Sequence, residues 1–254
     1  MESKKWLIDY KKPSATKYLF CFHYAGGVAS MYRKFLANNP EVDIVAIQLP
    51  GRERRMKETP YLSIKELIDV LYPILRDRIL TDRRPYGILG HSMGCFVSYS
   101  ILQSLQNNRI RMPSNCFLSS FPPPTCDNLR TLWRTNDGLT DKEFQEELSK
   151  WGVASIVFRE PYWSQFKTLL RADFSLFDKN EELISANRLG SGIEKVVLIY
   201  AAKDQMVRRG IVETWYDCFD ADVEIDIVGI DGKHLFMENP QHLREWESIV
   251  SNNL

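Results

Sequence analysis

The sequence predicts an α/β fold: a mostly parallel central sheet flanked by helices, with a helical insertion over one end. Three observations carry this. Short, almost uninterrupted apolar runs recur along the chain, as in strands covered on both faces. Amphipathic stretches of helical period lie between them, so successive strands are joined by right-handed crossovers and run parallel. One long segment, residues 127–188, breaks the alternation and contains no good strand. A chain of 254 residues can bury one large core, and a single domain over 1–254 is expected.

In order, strands are expected at 18–23 (YLFCFH), 43–47 (DIVAI), 86–89, 116–118, 196–201 and 223–228. Between the second and third, Ile64, Leu67, Ile68, Leu71 and Leu75 fall on one helical face. Ser63 and Glu66 open that stretch in capping-box spacing, which satisfies two free amides at a helix start. Pro73 lies inside the pattern and is expected to kink or divide the helix. A second helix follows Ser92 to about Leu105. The last begins at Asn239-Pro240, an N-cap residue with proline at the first helical position. Within the insertion, residues 140–143 (TDKE) form another capping box, starting a helix to about Lys150. Tyr162, Phe166, Leu169, Leu170, Phe174 and Phe177 then repeat at helical spacing. Most of them are expected to dock the insertion on the core. A cap must also bury its underside, and a substrate channel would form there.

Composition narrows the function classes. Basic and acidic residues balance at 33 each, which argues against nucleic acid or an anionic membrane as the main partner. Five scattered cysteines form no CxxC pair, so neither a disulfide framework nor a zinc site is suggested. Buried free thiols and a reducing compartment are the expectation. The N-terminal stretch is polar, and no apolar run approaches the roughly 20 residues of a membrane span. A cytoplasmic protein without metal or cofactor is expected.

The chemistry centres on residues 88–102 (ILGHSMGCFVSYSIL). Gly90-His91-Ser92-Met93-Gly94 fits G-x-S-x-G, with a buried strand leading in and an apolar helix leading out. The chain must reverse sharply at Ser92, and the flanking glycines relieve crowding between strand and helix. The serine hydroxyl then stands at a helix N-terminus, where free amides and the helix dipole favour negative charge. The alternative is a tight turn with an idle serine. A serine nucleophile needs a base, and in this arrangement serine, acid and histidine follow in that order. His23 is therefore excluded as base, and His91 should point away from its neighbour. His234, in a loop after the last strand, is favoured over His242, one turn into the final helix. Asp204, two residues beyond the 196–201 strand, is the favoured acid. Asp231 reads better as a turn residue, and Asp173 and Asp178 as solvated or structural residues of the insertion. One oxyanion donor should be the Met93 amide, and another should come from the loop HYAGGVAS, where Gly26 and Gly27 allow close approach.

Several separated stretches match one family. They are CFHYAGGVASMY (21–32), IQLPGRERR (47–55), GHSMG (90–94), LTDKEFQEEL (139–148), LLRADFSLF (169–177), DQMV (204–207) and GKHLFM (232–237). In these the sequence resembles the type II thioesterases of non-ribosomal peptide and polyketide synthesis, within the α/β-hydrolase fold. LPGRE and RADF are more specific than G-x-S-x-G, because general esterases lack them. The resemblance implies Ser92, Asp204 and His234 as a catalytic triad and Ala25 as the second oxyanion donor beside Met93. It implies that the insertion, 127–188, is a lid shaping an acyl channel. It also implies acyl or peptidyl carrier domains as partners of a monomeric enzyme. The family's usual proline before the first loop's aromatic is His23 here, and the proline that often follows the triad aspartate is Gln205. Both changes bear on local backbone and remove no reacting group. A direct role for His23 near the channel mouth stays open.

Three arginines in residues 52–55 read first as a solvated loop. The functional alternative is that they face a phosphopantetheine phosphate or an acidic carrier. The function expected is hydrolysis of acyl thioesters, with removal of aberrant acyl groups from assembly lines as the family role. Medium-chain acyl carrier protein thioesterases, carboxylesterases and a non-catalytic carrier-binding module are the alternatives.

Overall fold

The apolar runs form strands because almost every side chain in them has a neighbour on either face. In β2 (Lys17–Phe22), β3 (Val42–Ile47), β4 (Tyr86–His91) and β5 (Asn115–Ser119) all but the first residues of β2 and β5 are buried. The computed structural model describes residues 3–126, 132–178 and 187–254. β6 (Lys195–Ala201) and β7 (Glu224–Ile230) continue the sheet, and β1 (Leu7–Tyr10) starts it. The seven strands lie in the order β1-β3-β2-β4-β5-β6-β7. Every neighbouring pair is parallel except β1–β3.

Helices cover both faces. On one side α2 (Ile64–Thr81) and α3 (Met93–Asn107) bury Leu67, Leu71, Leu75, Phe96 and Leu102 against the sheet. On the other, Trp246 and Val250 of α7 (Pro240–Asn252) pack with Phe35 and Tyr32. The short helices α1 (Ser3–Trp6) and α6 (Arg209–Glu213) complete the layers. This is the α/β-hydrolase fold expected from the sequence.

Two local expectations are refined. Pro73 does not divide α2, which runs unbroken over 18 residues. The amide it lacks would have bonded the carbonyl of Asp69, a residue on the exposed face, where water can substitute. The capping box expected at Ser63 is half made: its hydroxyl accepts from the Glu66 amide, at 3.5 Å. The box at Thr140 is complete, with Thr140 Oγ1 accepting from the Glu143 amide and the Thr140 amide donating to Glu143.

Between β5 and β6 the insertion supplies α4 (Asp141–Lys150) and α5 (Tyr162–Asp178). The ends of the lid expected at 127–188 fall partly on residues 127–131 and 179–186, outside the described residues. α5 turns Leu170, Phe174 and Phe177 inward, and Phe174 and Phe177 meet Trp151 and Phe121.

Candidate active site

Ser92 connects β4 to α3 with φ 53° and ψ −126°, a conformation that side chains rarely adopt. The two glycines beside it are forced by close packing. A Cβ on Gly94 would lie 2.2 Å from the Phe22 carbonyl oxygen, and one on Gly90 2.6 Å from the Gly94 carbonyl oxygen. The Ser92 amide donates to the Ser119 carbonyl at 2.8 Å, which ties the turn to the end of β5. The hydroxyl is thus fixed beyond the carboxyl ends of the strands, with the residue 5% exposed.

Two loops bring Ser92 its partners. The loop after β6 and the loop after β7 are laced together: the Ala202 amide donates to Ile230 and the Lys203 amide to Gly232, each at 2.8 Å. Asp204 and His234 therefore arrive side by side. His234 Nδ1 lies 2.7 Å from Asp204 Oδ2, and His234 Nε2 lies 2.8 Å from Ser92 Oγ. A carboxylate only accepts, so Nδ1 carries the ring proton and Nε2 is left to accept from the serine hydroxyl. Asp204 is itself held, because its Oδ1 accepts from the Met206 and Val207 amides. All three residues are buried. Trp151, just past α4, sets its ring edge-on to His234 with centroids 4.8 Å apart.

Ala25 and Met93 flank this serine. Ala25 borders the same cavity as Ser92 and His234. Met93 is the first residue of α3, where an amide has no partner within its own helix. Among the described residues neither amide has a protein acceptor. The cavity, about 230 Å³, is otherwise apolar and lined by Trp151, Val157, Phe166, Leu170, Phe174 and Phe177, with Glu238 beside them. All six belong to the insertion or to the turn ending α4. The serine hydroxyl and the imidazole nitrogen that accepts from it meet on the lining of this cavity, with Ala25 on the same lining and Met93 next to Ser92, a constellation suited to acyl transfer.

The family model for the thioesterase domain matches residues 17–252. The chain belongs to the thioesterase family. It is 31% identical over 176 residues to the gramicidin S biosynthesis protein GrsT of Aneurinibacillus migulanus, across 68% of this chain and 66% of that protein. It is 28% identical over 250 residues to the human medium-chain S-acyl fatty acid synthase thioesterase, across 96% of this chain and 88% of that one. In fold it is similar to the RedJ thioesterase of the prodiginine pathway of Streptomyces coelicolor, with a TM-score of 0.79, 24% identity, and 95% and 87% of the two chains covered.

In this thioesterase the other candidates are accounted for. His242 is half-exposed on α7, and Asp231 is an exposed loop residue paired with Lys203 at 2.8 Å. His91 does point away from Ser92: its Nδ1 lies 3.0 Å from Ser119 Oγ, and burial pushes its pKa well below that of an ordinary imidazole. His23 is buried just past β2 and is absent from the cavity lining. Its Nδ1 donates to the Tyr24 carbonyl at 2.9 Å. Burial first, and then Arg52, lowers its pKa to about 4. His23 is a neutral structural side chain.

The reading of residues 52–55 as a solvated loop is corrected for two of its three arginines. Arg54 is exposed, but Arg52 and Arg55 are buried. Arg55 lies over the Trp6 ring at 3.9 Å, bonds the Gln48 carbonyl and pairs with Glu58. Arg52 grips Asp173 of α5 with two parallel hydrogen bonds of 2.9 and 2.6 Å. Neither of these two is free to meet a phosphate. Neither the Arg52–Asp173 pair nor Trp151 against His234 leaves a local pattern, since each joins residues far apart in the chain. Among the described residues no group of three or more His, Cys, Asp or Glu could hold a metal ion, and no helix is long and apolar enough to cross a membrane.

Proposed function

We propose that this chain is a serine thioesterase that releases acyl groups from the phosphopantetheine arms of carrier domains in non-ribosomal peptide or polyketide assembly, clearing aberrant loads. The observation that carries this is the Ser92–His234–Asp204 relay opening on an apolar, acyl-sized cavity. Family membership supports the thioester as substrate, and the naming of GrsT for gramicidin S biosynthesis supports the assembly line.

Ser92 Oγ attacks the thioester carbonyl while His234 Nε2 takes its proton. Asp204 stabilises the imidazolium and keeps its orientation. The Ala25 and Met93 amides bind the oxyanion. As the tetrahedral intermediate collapses, the pantetheine sulfur leaves with the proton held by His234. The same imidazole then activates water to free the acid and regenerate Ser92. No metal or cofactor is required by these steps. The insertion, 127–188, acts as the lid that shapes the acyl chamber. The enzyme works as a monomer in the cytoplasm.

A second reading is release of medium-chain acyl groups from fatty acid synthesis, favoured by the coverage of the human relative and the apolar cavity. One panel separates the readings: a series of acyl groups offered on a carrier protein, on free pantetheine and as oxygen esters. Carrier-borne thioesters should be hydrolysed fastest, and Ser92→Ala should lower kcat by at least about 10³-fold. Faster turnover of oxygen esters, or an active Ser92→Ala protein, overturns the proposal. A preference for medium fatty chains selects the second reading.

A further inference from the structure

The two stretches that set this sequence apart from general esterases, LPGRE and RADF, meet at one buried ion pair. Arg52 comes from the loop after β3 and Asp173 from the middle of α5, each side chain 2% exposed. A buried pair of this kind is weak evidence for stability, because desolvation offsets the attraction. Its partners suggest a different role. Asp173 Oδ2 accepts the Gly26 amide at 2.7 Å, in addition to Arg52 Nη1 at 2.9 Å. Arg52 Nη1 also donates to the Gly27 carbonyl at 3.1 Å, and Nε to the Pro50 carbonyl at 3.2 Å. The Gly27 amide closes back on the Tyr24 carbonyl at 2.8 Å, so residues 24–27 form one turn. Ala25 and Gly26 are its two middle residues. Gly26 has φ 78°, the conformation a type II turn requires at its third position.

The Ala25 amide lies in the first peptide of this turn, next to the Ala25–Gly26 peptide whose orientation the turn leaves soft, so its direction depends on how the turn as a whole is held. Asp173 holds the Ala25–Gly26 peptide by its N–H, and Arg52 holds both the carboxylate and the Gly27 carbonyl at the end of the turn. We infer that Arg52 and Asp173 are positioning residues: they fix the 24–27 turn so that the Ala25 amide faces the carbonyl that Ser92 attacks, and they fasten α5 of the insertion to that turn. The inference rests on the serine thioesterase reading above. Neither side chain lines the cavity. Their effect is on the placement of a donor, and misplacing a reacting group by about 1 Å can cost around 10²-fold in rate.

Removing one partner alone would leave an uncompensated buried charge. The informative protein is therefore the double variant Arg52→Met/Asp173→Leu, which fills the site with apolar atoms and deletes the acceptor for Gly26. It should melt cooperatively and keep KM for an acyl-pantetheine within about threefold, while kcat falls about 10- to 100-fold. Inhibition by an acyl trifluoromethyl ketone, whose adduct places an oxyanion on the same donors, should weaken by the same factor. Hydrogen exchange at the Gly26 amide should accelerate. A folded double variant with kcat and inhibition within twofold of the parent, and with Gly26 exchange unchanged, overturns the inference. If the double variant does not fold, Arg52→Gln/Asp173→Leu, which also removes both charges and the acceptor for Gly26, is read by the same three criteria. If the parent protein has no thioesterase activity, the functional reading fails by itself. Gly26 exchange still decides whether Asp173 holds the turn.

Discussion

At the scale of single residues, His23 shows how a side chain can look functional in sequence and serve the fold. It sits just past β2, beside the first loop and near Arg52, yet its ring is buried and its Nε2 has no hydrogen-bond partner. Protonating it would place a second positive charge beside Arg52 in a site away from water, and its pKa drops to about 4 from the usual 6.5. The unfolded chain takes up this proton near pH 6.5, and the folded chain only near pH 4. Stability from this group is thus complete above pH 6.5 and falls as the pH drops through that window. The slope approaches 1.4 kcal/mol per pH unit, so roughly 3 kcal/mol is at stake. Melting temperatures between pH 7 and 4 should decline less steeply for His23→Gln than for the parent. Parallel curves would mean that another group, such as buried His91, dominates the acid limb. The serine, acid and histidine were legible in sequence because their order and their places at strand ends are constrained. Arg52 and Asp173 were not, because a pairing across 121 positions leaves no local pattern.

At the scale of elements, legibility followed local physics. Strands buried on both faces announce themselves as unbroken apolar runs, and α4 announces itself by its capping box. β1 was missed, since its four residues include Asp9 and pair along only one edge of the sheet. Pro73 leaves α2 undivided because the carbonyl it orphans belongs to Asp69 on the exposed face, a circumstance that periodicity does not reveal. The complete box at Thr140 provides a measurable case. Thr140→Ala removes the hydroxyl that accepts the Glu143 amide, so it should destabilise by about 1 kcal/mol. For a domain of this size that lowers the melting temperature by about 2–4 °C. Differential scanning calorimetry would check it. A larger loss would mean that α4 supports the core beneath it as well as the insertion.

At the scale of the whole molecule, the cavity beside Ser92 is the least legible feature, and under the proposed function it is where acyl length is read. Its wall is assembled from the loop after β2, the Ser92 turn, α5, the segment after α4 and the His234 loop. No single stretch records its depth. The aromatics of α5 could be placed on one face from spacing alone, but whether that face met core or empty space depended on how the insertion sits. Phe166, Leu170, Phe174 and Phe177 line the space, and Phe174 and Phe177 also pack on the core beneath. An apolar chamber of about 230 Å³ should reward each methylene it can enclose and reject those it cannot. Each buried methylene is worth about 0.8 kcal/mol, so kcat/KM should rise about fourfold per added CH₂ until the chamber is full. Beyond that length it should level off or fall. Val157→Trp, which places an indole against this space from the segment after α4, should move the break to shorter chains. Rates on acetyl groups should change little, because a two-carbon chain leaves most of the cavity unfilled in either protein. Measuring kcat/KM from C2 to C12 acyl-pantetheines for both proteins tests this. An unchanged break in the variant would show that acyl groups leave the floor of the cavity by another route, and that the insertion covers the site without setting its length preference.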